Sequence, residues 1–205
     1  MNLVIDGKAI NVKALSNDPE QTELASKFTV AQYETCGEQD KNTIAEALHR
    51  RFKERYIDPV TPQKGKRMHG FTMMAISCLM IESLESFWQG WDNSDRKSGA
   101  AFREFFDRHS QFMAFRSHSG QFYKNVRCGI LHQAETTGGW KITRKATAPL
   151  FIAAPSPTIN ATLFLKLLQE ALDGFRDALN TADWNSTEWK NVRRKMKSLC
   201  DNCRP

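Results

Sequence analysis

Arg127 and His132 are separated by four residues, Cys128-Gly129-Ile130-Leu131. Their chemistries are complementary. A histidine changes charge near neutral pH and can take or give a proton. An arginine presents a planar fork of donors that suits phosphate or carboxylate oxygens. On one straight α-helix, five residues place the two side chains about 140° apart around the axis and about 7.5 Å along it. One helix therefore does not aim both at a single atom. The long Arg side chain spans part of the gap, and a second copy across a two-fold axis closes the rest. The spacing thus predicts a homodimer through this face. Outside such a context, an Arg and a His on a helix are ordinary surface residues or a local ion-pairing device.

Further cations lie nearby and towards the end of the chain. Lys124 sits one turn before Arg127 and can share its face, which makes it the best secondary contact for a phosphate backbone. Lys190, Arg193, Arg194, Lys195 and Lys197 form a stripe with no acid between Lys190 and Leu199. Arg193, Arg194 and Lys197 are its candidate backbone contacts; the plainer reading is a solvated helix face. Lys64, Lys66, Arg67 and Arg116 are further cations.

Other residue types point less clearly to chemistry. Cys200 and Cys203 form a CxxC, but no second pair supplies the remaining ligands of a zinc site, so they are read as incidental thiols. Glu82 and Glu85 interrupt an apolar run; they could orient an Arg or His, but the simpler expectation is that they line that helix's polar edge. Phe102, Phe105, Phe106, Phe112 and Phe115 could stack on bases, yet at helical spacing they are expected in the core. Gly138-Gly139 is no phosphate cradle, since no GK[ST] follows. No metal or cofactor is expected.

The elements that must position these residues are mostly helices. Leu3-Val4-Ile5, Asp6-Gly7 and then Ile10 and Val12 read as a hairpin. Residues 16 to 40 are polar and mixed. Asn42-Thr43 caps a helix to about Tyr56, with Ile44, Leu48, Phe52 and Tyr56 four apart. Asp58-Pro59 and Thr61-Pro62 stop it, and a basic loop (KGKR, 64 to 67) follows. A long helix spans about 68 to 90, and another about 99 to 113. A turn at Ser117–Gly120 leads to a helix over about 121 to 135, which carries Arg127 and His132. Thr136–Gly139 is a turn, and 140 to 152 is extended. Thr158 to Asn180 and Ser186 to Leu199 are the last two helices. The fold class is mainly α: one helical bundle with a small N-terminal β-hairpin and a short extended segment near 140–152. Residues 1–39 form the hairpin and a variable segment, and 40–205 the helical core.

The run Phe122 to Glu135, FYKNVRCGILHQAE, resembles the HEPN superfamily, whose motif is Arg followed four to six residues later by His. The context is also similar: an aromatic upstream, a hydrophobic pair before the His, and a surrounding helical bundle. The residue after the Arg is usually polar in that family, often Asn, Asp or His, whereas here it is Cys128. The resemblance covers about residues 40 to 200. It implies a metal-independent endoribonuclease that cuts single-stranded RNA by attack of the 2′-hydroxyl on the adjacent phosphate. His132 would then do acid/base work and Arg127 would stabilise the charge developing on phosphorus. It also implies a homodimer with a composite cleft, a role in defence, toxicity or stress response, and a possible antitoxin or other protein partner. The alternative is a non-catalytic module of the same kind that binds RNA, nucleotide or a protein; a weaker one is a plain helical interaction domain.

The composition fits this picture. The chain has 205 residues, 40% of them hydrophobic and 25% charged, which is ordinary for a globular domain and excludes a disordered or collagen-like chain. Lys and Arg exceed Asp and Glu by 29 to 23, a mild excess that permits an anionic partner such as RNA without requiring one. Five scattered cysteines suggest reduced thiols in a cytoplasm rather than a disulfide framework. The most apolar stretch, Phe71 to Ile81, is shorter than the ~20 residues of a membrane span and is expected to be a buried helix. No signal peptide is read.

Overall fold

A computed structural model describes residues 2–5, 8–11, 18–61 and 70–204. The chain is mainly α. The central element is α3 (Gly70–Gln89). Against it pack α4 (Ser98–Arg108), α7 (Ala161–Thr181) and α8 (Thr187–Asp201), while α2 (Lys41–Phe52) lies along α7. Helix α3 buries Met73, Met74, Ser77, Cys78, Met80, Ile81, Leu84 and Phe87, more than one narrow stripe. That width is what a helix needs when neighbours cover it on several sides.

The N-terminal hairpin is present as β1 (Asn2–Ile5) and β2 (Lys8–Asn11), antiparallel with Leu3 opposite Ile10. Its turn residues Asp6-Gly7, and Val12, lie outside the described residues, as does the basic loop with Lys64, Lys66 and Arg67. The polar stretch 16 to 40 holds more structure than its pattern suggests. It contains β3 (Glu23–Ala25), β4 (Phe28–Thr29) and α1 (Val30–Glu34). Thr29 and Gln32 form a reciprocal capping box at the start of α1, and two such caps satisfy donors that a short helix cannot satisfy internally. Helix α2 begins at Lys41 after a 3₁₀ turn, so Asp40 rather than Asn42 or Thr43 is its first flanking residue. It runs on through a π-helical turn at Lys53–Ile57 and ends at the 3₁₀ turn Asp58–Val60.

The extended segment is a three-stranded sheet. β5 (Lys141–Thr143) pairs parallel with β7 (Thr158–Asn160), which pairs antiparallel with β6 (Phe151–Ile152). Thr158–Asn160, expected as the start of the long helix, is thus a strand. Asn160 sets the boundary between strand and helix: its Oδ1 accepts from the Thr162 and Leu163 amides and starts α7, while its Nδ2 donates to the Lys145 and Ala148 carbonyls. Ser186 caps α8 through the Trp189 amide, as its residue type predicts.

Phe102, Phe105, Phe106, Phe112 and Phe115 are all fully buried, which settles them as core rather than base-stacking platforms. They pack with Phe122 and Phe164 at centroid separations near 5 to 6 Å, among them Phe112–Phe164 at 4.9 Å and Phe106–Phe122 at 5.2 Å. Ser117–Gly120, expected as a turn, continues a helical path: a 3₁₀ segment (Ser110–His118) passes directly into α5 (Ser119–Phe122). Buried Phe112, Phe115 and Phe122 hold this path against the core.

Candidate functional site

The segment carrying Arg127 and His132 is built in three parts. Helix α5 passes into a π-helical turn, Tyr123–Arg127, and then into α6 (Cys128–Gln133). A π-turn accommodates an extra residue in a helix and recurs at functional sites. Arg127 is its last residue. Ala134, left-handed at φ 55°, ends α6. The chain then folds back: the Thr137 amide donates to the Asn125 carbonyl at 2.9 Å, and the Thr137 hydroxyl donates to Asn125 Oδ1 at 3.0 Å. Trp140, 4% exposed, pins the return against the core.

Arg127 points toward α3 and meets Glu82. Its Nε donates to Glu82 Oε1 at 2.6 Å and its Nη2 to Oε2 at 3.4 Å. The Glu82 side chain is 7% exposed and that of Arg127 18%. The Ser94 hydroxyl donates to Glu82 Oε2 at 3.4 Å, and the Arg127 guanidinium lies 5.7 Å from the centre of the Tyr123 ring. Burial alone would lower the Arg127 pKa, but the hydrogen bond and charge of Glu82 outweigh it and raise the pKa. Burial and a hydrogen bond with the Cys128 thiol raise the Tyr123 pKa. Burial raises that of Cys78, with Glu82 adding to the effect.

The expectation for Glu82 and Glu85 is overturned. Neither lines a polar edge: both are buried, at 6% and 0% exposure. Glu85 accepts from Arg108 Nη2 at 2.7 Å and from Gln89 Nε2 at 2.9 Å. A carboxylate this far from water needs a cation and hydrogen bonds, and both have them. The signal was present in the sequence. At 100° per residue, Glu82 falls between Cys78 and Ser86, and Glu85 beside Cys78 and Met74, all of which are buried.

His132 lies on another face. It is exposed near the end of α6, and among the described residues it has no ion pair or hydrogen bond. One copy of the chain therefore does not bring Arg127 and His132 together; Arg127 turns inward to α3 and His132 outward to solvent. Lys124 is exposed on the π-turn without a partner among the described residues.

The cations of α8 do not form one stripe. Arg193 donates to the Trp184 carbonyl at 2.6 Å and its guanidinium lies 4.3 Å from the Trp184 ring centre. Lys195 is buried and donates to the Asp92 carbonyl at 2.6 Å. Lys197 pairs with Asp201 at 2.6 Å. Arg194 and Lys190 remain exposed without a partner among the described residues. Arg194 and Lys197 line an open polar cavity of about 400 Å³ with Asp92, Ser198, Asp201 and Asn202. Arg116 donates to the Phe106 and Asp107 carbonyls. Cys200 is buried, Cys203 half-buried, and both are free thiols. Among the described residues no three potential metal ligands converge.

Beside the Arg127 helix runs an apolar groove of about 290 Å³ lined by Phe71, Thr72, Ala75, Ile76, Ile130 and Ala134. Leu79 and Leu131, 39% and 40% exposed, extend the apolar surface along α3 and α6. Comparison with protein-family models, with curated proteins and with solved structures returned no match.

Proposed function

We propose that this chain is one half of a metal-independent endoribonuclease of HEPN-like character, completed by a second copy. In the proposed reaction the RNA 2′-hydroxyl attacks the adjacent phosphorus and a histidine takes its proton. The P–O5′ bond breaks, and the departing 5′-oxygen takes a proton from the second histidine. A cyclic phosphate and a 5′-hydroxyl result. Two copies supply two histidines for the two proton transfers, and Arg127 supplies donors to the non-bridging oxygens.

The observation that carries this reading is the contrast within one helix. Arg127 is held by a buried carboxylate, while His132, five residues on, is exposed and unpartnered among the described residues. A histidine in that position is open to substrate and to a partner subunit. The apolar groove and exposed Leu131 beside it offer a second copy surface to cover.

The test is incubation of the purified protein with labelled single-stranded RNA in excess chelator. Cleavage to cyclic-phosphate ends should persist, and should be lost in His132→Ala and Arg127→Ala. Mutants that cut as fast as the parent would overturn the assignment. Light scattering should give a dimer mass, reduced to that of a monomer by Leu131→Glu.

A second reading rests on the same ion pair. Glu82 compensates the Arg127 charge, which suits a non-catalytic module that binds RNA, nucleotide or protein. RNA binding without cleavage, unchanged by His132→Ala, would select it.

A further inference from the structure

We infer that Glu82 is a positioning residue for Arg127: it fixes the plane of the guanidinium so that the edge not facing α3 is directed at a phosphate. The inference rests on the proposed ribonuclease reading.

A guanidinium has five N–H donors in a rigid plane. Glu82 engages Nε and Nη2, and both contacts lie on one edge of that plane. The Nη1 amino group has no carboxylate partner among the described residues. The Tyr123 ring at 5.7 Å flanks the group. The carboxylate is itself held by the Ser94 hydroxyl at 3.4 Å and is surrounded by the buried side chains of α3. The arrangement has the form of a group that contacts substrate, oriented by a buried carboxylate that does not. Because Glu82 also cancels the net charge, Arg127 would act through directed hydrogen bonds more than as a bare cation. A displacement of about 1 Å in such a group can cost about a hundredfold in rate.

The test uses the full chain carrying Glu82→Gln, Glu82→Asp or Ser94→Ala, with two readouts. The first is the Nε–Hε resonance of Arg127 by ¹⁵N NMR, assigned by its absence in Arg127→Lys. It should be downfield and slow to exchange in the parent, weakened in Glu82→Gln and shifted in Glu82→Asp. The second is RNA cleavage. Glu82→Gln should lower kcat at least tenfold with KM changed less than threefold. Glu82→Asp should recover part of the loss, and Ser94→Ala should lose about threefold.

Should Glu82→Gln fail to fold, Glu82→Asp and Ser94→Ala carry the same comparison. A parent that cuts RNA, with Glu82 and Ser94 variants that cut equally well, overturns the inference and leaves the ribonuclease reading standing. A parent that does not cut RNA overturns that reading, and the NMR signal then decides: an unchanged Arg127 resonance in the Glu82 variants overturns the positioning role, and its loss upholds it.

Discussion

Gly129 and Glu135 approach so closely that a Cβ built on the glycine would sit 2.6 Å from the Glu135 carbonyl oxygen. Gly129 lies between Arg127 and His132 in sequence, and the close contact forms where the chain folds back after α6. The Glu135 amide also reaches the Gly129 carbonyl, at 3.5 Å. Gly129 is therefore set by space: α6 and its return loop leave no room for a side chain. Gly129→Ala should gain about 1 kcal/mol in helix propensity and lose about 1–3 kcal/mol to the forced separation. A net loss of up to about 2 kcal/mol is expected, read as a lower melting temperature. A raised melting temperature would show that the loop yields freely.

Arg108 is the cation on which fully buried Glu85 depends. Arg108→Ala should destabilise the protein by about 3 kcal/mol, the low end for a broken buried pair, because the Arg108 side chain is itself 32% exposed. The Arg108→Met, Glu85→Gln double variant should lose less than Arg108→Ala alone, since no buried charge is then left unpaired. Urea unfolding of the parent and the two variants provides the measurement. A double variant worse than the single one would mean that the pair contributes more than mutual compensation.

The helices were legible in the sequence because their apolar spacing is regular. α3, α7 and α8 begin and end within three residues of the expected bounds where both are described, and α2 stops at Phe52 and reaches the expected end near Tyr56 only through the π-helical turn Lys53–Ile57. Three things were not legible, each for a physical reason. The capping box of α1 depends on Thr29 and Gln32 meeting in space, and the short helix it starts has too few residues to show a period. The strand at Thr158–Asn160 is set by its pairing with β6 and with β5, whose Lys141 lies opposite Thr158 from 17 residues earlier. The inward turn of Arg127 depends on Glu82, 45 residues earlier. Spacing identified Arg127 and His132 as a pair on one helix, but could not show that a carboxylate from another helix would hold one of them.

His109 packs on Phe105 with ring centroids 4.4 Å apart, and its Nε2 is buried without a hydrogen-bond partner among the described residues. Burial, with a smaller effect from Arg108, lowers its pKa from 6.5 to about 4. Between those values the unfolded chain binds a proton that the folded protein does not, so stability falls as pH drops from about 6.5 to about 4. The contribution is about 1–3 kcal/mol, reduced from the full linkage value because the ring is not wholly enclosed. His109→Phe should flatten this limb of the stability curve. Unfolding free energies of parent and variant at pH 7 and pH 4.5 provide the check: a difference that does not change with pH would mean that His109 titrates normally.

Arg193 and Arg194 are adjacent in sequence but do different work. Arg193 is committed to the Trp184 carbonyl and ring, and these contacts tie α8 to the chain that precedes it. Arg193→Ala should therefore lower stability by about 1–3 kcal/mol, the cost of a charged hydrogen bond and a cation–π contact. Arg194 is exposed and lines the polar cavity at the end of α8, so Arg194→Ala should leave the melting temperature within about 1 °C, as surface substitutions do. If α8 touches a phosphate backbone, the loss of Arg194 should weaken RNA binding and lower the slope of log affinity against log salt by about 0.7, the value for one single-strand phosphate contact. Thermal melts and a salt titration of RNA affinity separate the two roles. An unchanged salt slope in Arg194→Ala would remove Arg194 from the RNA path and leave Lys190 and Lys124 as the exposed cations to test beside Arg127.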